Sequence, residues 1–464
     1  MPSEGRSLWE SLNEKGAPAG RLHGTQGVIA LADLASSSAF GAQLESLRGR
    51  SVLLITQDQL TAALALLELD GVVRRMVLCT PDLATQYLPG IIRSAQAEAC
   101  VRDEGSAAPE VIGRPAVTVR PALSHAAPAR RRTQATEWIL LTSGTTGAPK
   151  LVQHTLEGLT SALAASAPPP VPLVWSTFYD IRRYGGLQIF FRGVHNGSLV
   201  LSDPGEATGD FLSRARQAGV THISGTPSHW RKALMSGTSA NLSPRYARLS
   251  GEVADQAVLD SLRAAYPEAI VAHAFASTEA GVAFEVRDGL AGFPASLVGA
   301  EGARVELRVP EDTLQIRSPG NALRYLGEGM EPIRGADGFV DTGDRVELRA
   351  GRFYFMGRRG GVINVGGLKV HPEEVEAILN AHPWVQMSLV KARRSPITGA
   401  MVTADVVLAE ESTTPGPRPA TAELTRELTE SCRSALPPHK VPAMIRIVPS
   451  LEVSPSGKLV RPLA

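Results

Sequence analysis

Up to residue 102 the chain alternates short apolar bursts with stretches of helical period. SVLLIT (51–56) and RMVLCT (75–80) read as buried strands, with LTAALALLELDGV between them as a helix. That order predicts βα units around a largely parallel sheet. Residues 103–137 break the pattern: they are mostly Ala, Pro, Arg and small polar residues, they end in Arg130, Arg131 and Arg132, and they hold no sustained period. A surface connection or mobile linker is expected there, its arginines solvated rather than forming an anion patch, since no aromatic residues interleave them. Strand-like segments resume with WILLTS at 138, SLVLSD (198–203), THISGT (221–226) and AIVAHAF (269–275), which predicts a second large α/β region. ARVELRV (303–309), TLQIRS (313–318) and GRFYFMGR (351–358) then alternate in the manner of a small β-rich module. In the last hundred residues HPEEVEAILNAH predicts one good helix. Pro372 sits in its first turn, with acids at Glu373, Glu374 and Glu376 and apolar residues at Val375, Ile378 and Leu379.

Composition narrows the class. An apolar share of 43% over 464 residues excludes a disordered or fibrous chain. The 44 glycines and 33 prolines show no three-residue period, so they mark turns rather than collagen. With 47 Lys+Arg against 46 Asp+Glu the net charge is +1, which argues against nucleic acid as the main partner. Cys79, Cys100 and Cys432 are too far apart for a metal knuckle or redox pair. No apolar stretch has the length of a signal peptide or membrane span, so a soluble, cytoplasmic protein is expected.

The candidate chemistry begins at LTSGTTGAPK (141–150), an apolar strand running into glycines and hydroxyls that close on Lys150. Such a loop can aim backbone N–H groups and hydroxyls at phosphate oxygens, with the lysine as a point charge. Pro149 stands where a Walker loop requires Gly.

This loop resembles the signature of the adenylate-forming superfamily: acyl-CoA synthetases, luciferases and nonribosomal peptide adenylation domains. Further matches follow in that family's order: SGE (250–252), FASTEAG (275–281), LQIRSPG (314–320), DTGD (341–344), GRRGGVINVGGLKVHPEEVE (357–376) and SPSGKLVR (454–461). The resemblance covers nearly the whole chain. It implies an α/β fold whose large N-terminal domain of βα layers, with a small β-rich module, spans 1–358. A small mobile α+β C-terminal domain would follow at 359–464.

The resemblance also implies a reaction and its residues. A carboxylate would attack the α-phosphate of ATP, giving an acyl-adenylate and pyrophosphate, and a thiol would then displace AMP. Thr142, Ser143, Gly144, Thr145, Thr146, Gly147 and Lys150 would hold the departing pyrophosphate. Thr278 would bind the AMP phosphate and Glu279 a Mg²⁺ ion. Phe275, Ala276, Ser277, Gly251 and Glu252 would line the nucleotide, and Asp344 with Arg358 would take the ribose hydroxyls. Lys458 would balance the charge between carboxylate and α-phosphate. Gly366 and Gly367 would line the pantetheine channel after the small domain swings. Gly360 occupies the hinge position, where relatives carry Asp or Lys, and glycine is compatible with that motion. Phe275 and Leu151 also depart from the usual motif, as does His154, which reads as a helix-start histidine without catalytic duty.

Substrate choice is expected around STFYDIRRYGGLQIFF (176–191). Tyr179, Asp180, Arg183, Tyr184, Gly185 and Gly186 are the candidate pocket residues, with some of Trp175, Phe178, Phe190 and Phe191 lining it and others in the core. An Arg there could meet a second acidic group on the substrate, or Asp180 an amine; equally, Asp180 could pair with an Arg at the rim. The leading expectation is an ATP-dependent acid–thiol ligase that forms acyl-CoA, with Lys391, Arg393 and Arg394 as candidates for the CoA 3′-phosphate. A carrier-protein-loading adenylation enzyme and a non-catalytic nucleotide-binding relative are the alternatives.

Overall fold

The computed structural model describes the whole chain except residues 1–4, 15, 17, 105–112, 126–131, 143–147, 164–170, 301, 366, 396–398, 411–417, 455 and 462–464. Ser51–Leu54 and Arg75–Leu78 are fully buried parallel neighbours at the centre of a seven-stranded sheet, as their unbroken apolar runs require. Between them lies the helix Gln59–Leu69, buried along its whole length. Ala99–Asp103 and Glu137–Thr142 extend this sheet in parallel, and Lys150–His154 turns back antiparallel on its outer side.

The second sheet has eight strands. Tyr246–Ser250 runs parallel between His222–Gly225 and Ile270–Ser277, and Leu173–Thr177 and Gly197–Leu201 continue the parallel run. Its carboxyl edge faces the functional loops described below, the usual ligand side of an open parallel sheet. The Tyr184–Asn196 helix packs on one face, presenting Leu187, Ile189, Phe190, Phe191 and Val194 to the core. A five-stranded antiparallel sheet, including Val340–Arg349 and Arg352–Arg358, forms the β-rich module. A smaller C-terminal domain holds a three-stranded sheet and the helices Pro372–Asn380 and Thr421–Ala435 around its own core. Among the described residues no helix is long and apolar enough to cross a membrane.

Two expectations change. The 103–137 stretch contains a strand, Ala116–Val119, which pairs in parallel with Ala99–Asp103 and extends the first sheet. Its four residues are too few for periodicity to register. Arg130 and Arg131 lie outside the described residues, whereas the Arg132 backbone N–H donates to Glu10 at 3.3 Å. The C-terminal domain has a second long helix, Thr421–Ala435. It buries only Leu424, Leu428 and Cys432, a four-residue spacing diluted by its polar majority. All three cysteines are buried and free, and burial pushes the Cys432 thiol up to about 11.

One buried carboxyl ties the N-terminal helix to this framework. Asp70 accepts hydrogen bonds from Leu8 N at 2.7 Å and from Trp138 Nε1 at 2.8 Å. Burial nonetheless pushes it up to about 6. The folded state therefore holds a proton that the unfolded chain releases near the ordinary aspartate value, so this group's contribution to stability falls as pH rises from about 4 to 6. We expect Asp70→Asn to flatten that fall by on the order of 2 kcal/mol, read as wild-type minus variant denaturant stability across pH ~4 to ~7.

Candidate active site

The functional loops start where parallel strands end. Thr226 follows the strand His222–Gly225 and caps the helix Pro227–Met235: its hydroxyl accepts from His229 N at 3.0 Å, and Thr226 N donates to His229 Nδ1 at 3.2 Å. Gly251 and Glu252 follow the neighbouring strand Tyr246–Ser250. The Lys458 turn docks on these two strand ends. It is closed by Ser454 N donating to Lys458 O at 2.7 Å and Gly457 N to Ser454 O at 2.8 Å. Gly457 has φ +75°, and a Cβ there would overlap the imidazole of His229. Thr226 Oγ1 donates to Gly457 O. Glu252 completes the clamp: its carboxylate accepts from Leu459 N at 2.9 Å and from Ser228 N at 3.0 Å, joining the turn to the helix N-terminus.

Lys458 is thereby carried to Gly251, where a Cβ would lie 3.6 Å from its Cε. Burial lowers its pKa and Arg358 lowers it further, while Glu252 and Asp344 oppose the shift. Asp344 and Arg358 are paired residues on adjacent strands, Nε to Oδ1 at 3.2 Å, and Asp344 above all raises the Arg358 pKa. These residues come from three parts of the sequence and share one electrostatic environment.

Beside them, FASTEAG forms the turn between two antiparallel strands, with Ala280 N donating to Ser277 Oγ at 3.0 Å and Gly281 at φ +75°. The strand shifts register between Phe275 and Ala276. Phe275 stacks on Phe355, with centroids 5.2 Å apart, so its ring joins the β-rich module. Glu279 accepts a hydrogen bond from the Tyr325 hydroxyl at 3.2 Å, and Lys150 Nζ stands 4.8 Å from the Tyr325 ring centroid. Thr142 faces Lys150 across the hairpin that carries the signature loop. Ser143, Gly144, Thr145, Thr146, Gly147 and Gly366 lie outside the described residues. Gly367, at φ +90°, opens onto free space, and its N–H donates to Asn364 Oδ1 at 2.8 Å. Gly360 also has open space around it.

The expected acyl-pocket residues divide. Tyr179 is buried and donates from its hydroxyl to Ser250 O at 2.7 Å, with its ring edge-on to His229. Asp180 is spent on Arg182, with Nε–Oδ1 and Nη2–Oδ2 at 2.8 and 2.7 Å, and Arg182 also donates to Thr56. That pair lies inside the protein and not at a rim, and it leaves Asp180 no free oxygen for an amine. Arg183 is likewise held by both oxygens of Asp82, at 2.8 and 2.6 Å. Gly186 lets the helix touch the Asp180 carbonyl, which an added Cβ would overlap, and Gly185 covers the Tyr179 ring. Tyr184 lies 5.8 Å from the His154 ring. His154 ends the strand Lys150–His154 instead of starting a helix, and burial pushes it down to about 4. Phe190 and Phe191 are core residues, and Phe178 packs on Phe211, His229 and Trp230. Of the basic run, Lys391 is already paired with Asp405, and Arg393 reaches Met444 Sδ at 3.8 Å.

Sequence reasoning missed His229 and Tyr325. His229 is pushed down to about 3 by burial, so it meets the turn as a neutral ring. Its only signal was the Thr-Pro-x-His spacing of a helix start. Tyr325 lies just beyond LQIRSPG, outside every matched motif.

A family model described as AMP-binding enzyme matches residues 50–328, and one described as AMP-binding enzyme C-terminal domain matches residues 374–458. The mitochondrial acyl-coenzyme A synthetase ACSM5 of Homo sapiens is 26% identical over 349 residues, 70% of this chain. The chain thus spans 59% of the length of that relative. An anthranilate CoA ligase solved with anthranoyl-AMP superposes with a TM-score of 0.77 at 19% identity, over 98% of this chain and 95% of that one. The o-succinylbenzoate CoA synthetase of Bacillus subtilis, solved with its acyl-adenylate, superposes with a TM-score of 0.75 at 21% identity, over 98% and 97%. At such identities the superpositions speak for the fold, and the two family matches include Gly251, Glu252 and Lys458, while Asp344 and Arg358 lie between them. The chain therefore belongs to the AMP-binding enzyme family, with that family's C-terminal domain following the large one.

Proposed function

We propose that this protein is an AMP-forming acid–thiol ligase that makes acyl-CoA. The observation that carries the reading is the docking of the Lys458 turn on Gly251 and Glu252, beside the Asp344–Arg358 pair. In the first half-reaction a substrate carboxylate oxygen bonds to the α-phosphorus of ATP and the bond to pyrophosphate breaks. Lys458 puts one positive charge beside two mutually repelling anions and so offsets their repulsion as they meet. Arg358 and Asp344 hold the ribose diol, and the 142–150 hairpin with Lys150 receives the pyrophosphate. In the second half-reaction the thiol sulfur of CoA bonds to the acyl carbon, AMP departs, and the thiol proton is released.

Glu279 suits Mg²⁺ in one respect: among the described residues only one of its oxygens is engaged, by Tyr325. Among the described residues no group of three or more His, Cys, Asp or Glu side chains could hold a metal. A magnesium ion at Glu279 would therefore share its coordination with nucleotide phosphates, where it would neutralise their charge. The small domain, taken as residues 359–464, turns between half-reactions about Gly360, bringing Gly366 and Gly367 to the thiol channel.

Carboxylate-dependent pyrophosphate release from Mg-ATP, with CoA added for the second step, tests the reading. Release with a defined set of acids is expected, followed by thioester formation. No release with any acid while ATP binds would overturn the proposal. Lys458→Ala should cut release about 100-fold or more.

The clamp makes separate predictions. Gly457→Ala forces a Cβ against His229 at a left-handed backbone position. It should abolish adenylation, yet leave thioester formation from a supplied acyl-adenylate near the wild-type rate, as single-turnover assays would read. Glu252→Gln retains one acceptor for two backbone donors and should slow adenylation about 10- to 100-fold, again sparing the thioester step.

A further inference from the structure

The space between the Tyr184–Asn196 helix and the second sheet has more buried positive charge than its own carboxylates answer. Tyr246, Arg248 and Ser250 alternate along one strand and so point to the same face. Arg248 is fully buried on that strand. Its Nε donates to Glu285 Oε2 at 3.1 Å, whereas its Nη2 is buried with no hydrogen-bond partner among the described residues. Both oxygens of Glu285 are already engaged, since Arg287 holds its Oε1 at 2.6 Å. Arg192, from the same helix that carries Tyr184, stands 5.9 Å from the Trp175 ring centroid. Burial first, then the charge of Arg248, lowers its pKa to about 10, while Tyr246, Glu285 and Tyr184 face it with the opposite effect. Among the described residues Arg192 has no carboxylate within salt-bridge distance. Trp175 Nε1 is a second buried donor without an acceptor among them, and the half-buried Arg192 stands over its ring.

Two guanidinium groups and an indole N–H therefore converge where one carboxylate is shared with a third arginine. Buried donors and charges of this kind are costly unless an anion answers them. Arg248 lies three residues before Gly251, against which Lys458 packs, so its backbone is about 10 Å below the reacting centre at the rise of a strand. The Tyr179 hydroxyl bonds to the carbonyl of Ser250, between the two levels.

We propose that Arg192 and Arg248 form the floor of the acyl pocket and bind a second carboxylate on the substrate, so that the enzyme selects dicarboxylic acids. This inference rests on the adenylating reading above. The arginines that do the work are not Arg182 and Arg183, which Asp180 and Asp82 already hold.

Calorimetric binding in the presence of AMP tests it without turnover. The probes are matched pairs: adipate and hexanoate, suberate and octanoate, terephthalate and 4-methylbenzoate. At least one diacid should bind about 30-fold or more tighter than its partner. Arg192→Met should reduce that ratio about tenfold, and Arg192→Lys should restore part of it. A monoacid that binds as well as its diacid in every pair, no diacid binding at all, or a ratio unchanged in Arg192→Met would overturn the inference. The wild-type ratio decides the matter even if the variant does not fold. Pyrophosphate release with the same probes separates the two levels. Release from monoacids alone sinks the diacid pocket and leaves adenylation standing; tight diacid binding without release from any acid does the reverse.

Discussion

Glu252 accepts two backbone N–H groups that belong to distant parts of the chain, Ser228 at a helix start and Leu459 beyond the lysine turn. Everything else at the site is arranged around that bridge. A carboxylate that accepts from two backbone donors makes charge-assisted hydrogen bonds, and it fixes both partners at once. Gly457 lies flat against His229 because it lacks a side chain, and the ring of His229 is neutral because burial forbids its charge. A cation here would stand next to Lys458 and repel its ammonium group. The clamp thus has three parts, each depending on its neighbours: an acceptor, an uncharged platform and a turn with no Cβ.

The clamp is small beside the domain that carries it. It involves a handful of polar contacts and one flat packing surface, while the C-terminal domain keeps its own core of Val370, Val375, Leu379, Ala404, Val406, Leu424 and Leu428. Arg461 and Glu376 bond within that domain at 2.8 and 2.7 Å and do not cross to the large one. Other contacts between the two domains are polar as well: Asn380 Nδ2 donates to Asp255 Oδ2 at 2.9 Å and Gln386 Nε2 to the Arg231 carbonyl at 3.2 Å.

Charge burial separates two kinds of arginine in the pocket region. Arg182 and Arg183 each have a carboxylate of their own, so they stabilise the loop that leads into the helix. Arg248 shares Glu285 with Arg287 and is left with a donor to spare, and Arg192 beside it has no acid of its own among the described residues. The difference is invisible in residue type and is decided by which strand or helix brings an acid alongside.

Much of the fold and the order of the site were legible in the chain. The parallel strands announced themselves as unbroken apolar runs because both faces of their sheets are covered, whereas FASTEAG, DTGD and PSGK were legible only through their resemblance to the family's motifs. Ala116–Val119 and the Thr421–Ala435 helix were not legible, the first being too short for a period and the second too polar around its narrow buried stripe. What only the tertiary structure decided is pairing across distance. Arg183 meeting Asp82, Tyr325 reaching Glu279, and Arg248 lacking a second acceptor all follow from how sheets and helices stack. Local sequence sets which groups a segment carries, but the free energy of a buried charge depends on its neighbours in space, and those are assigned by the fold.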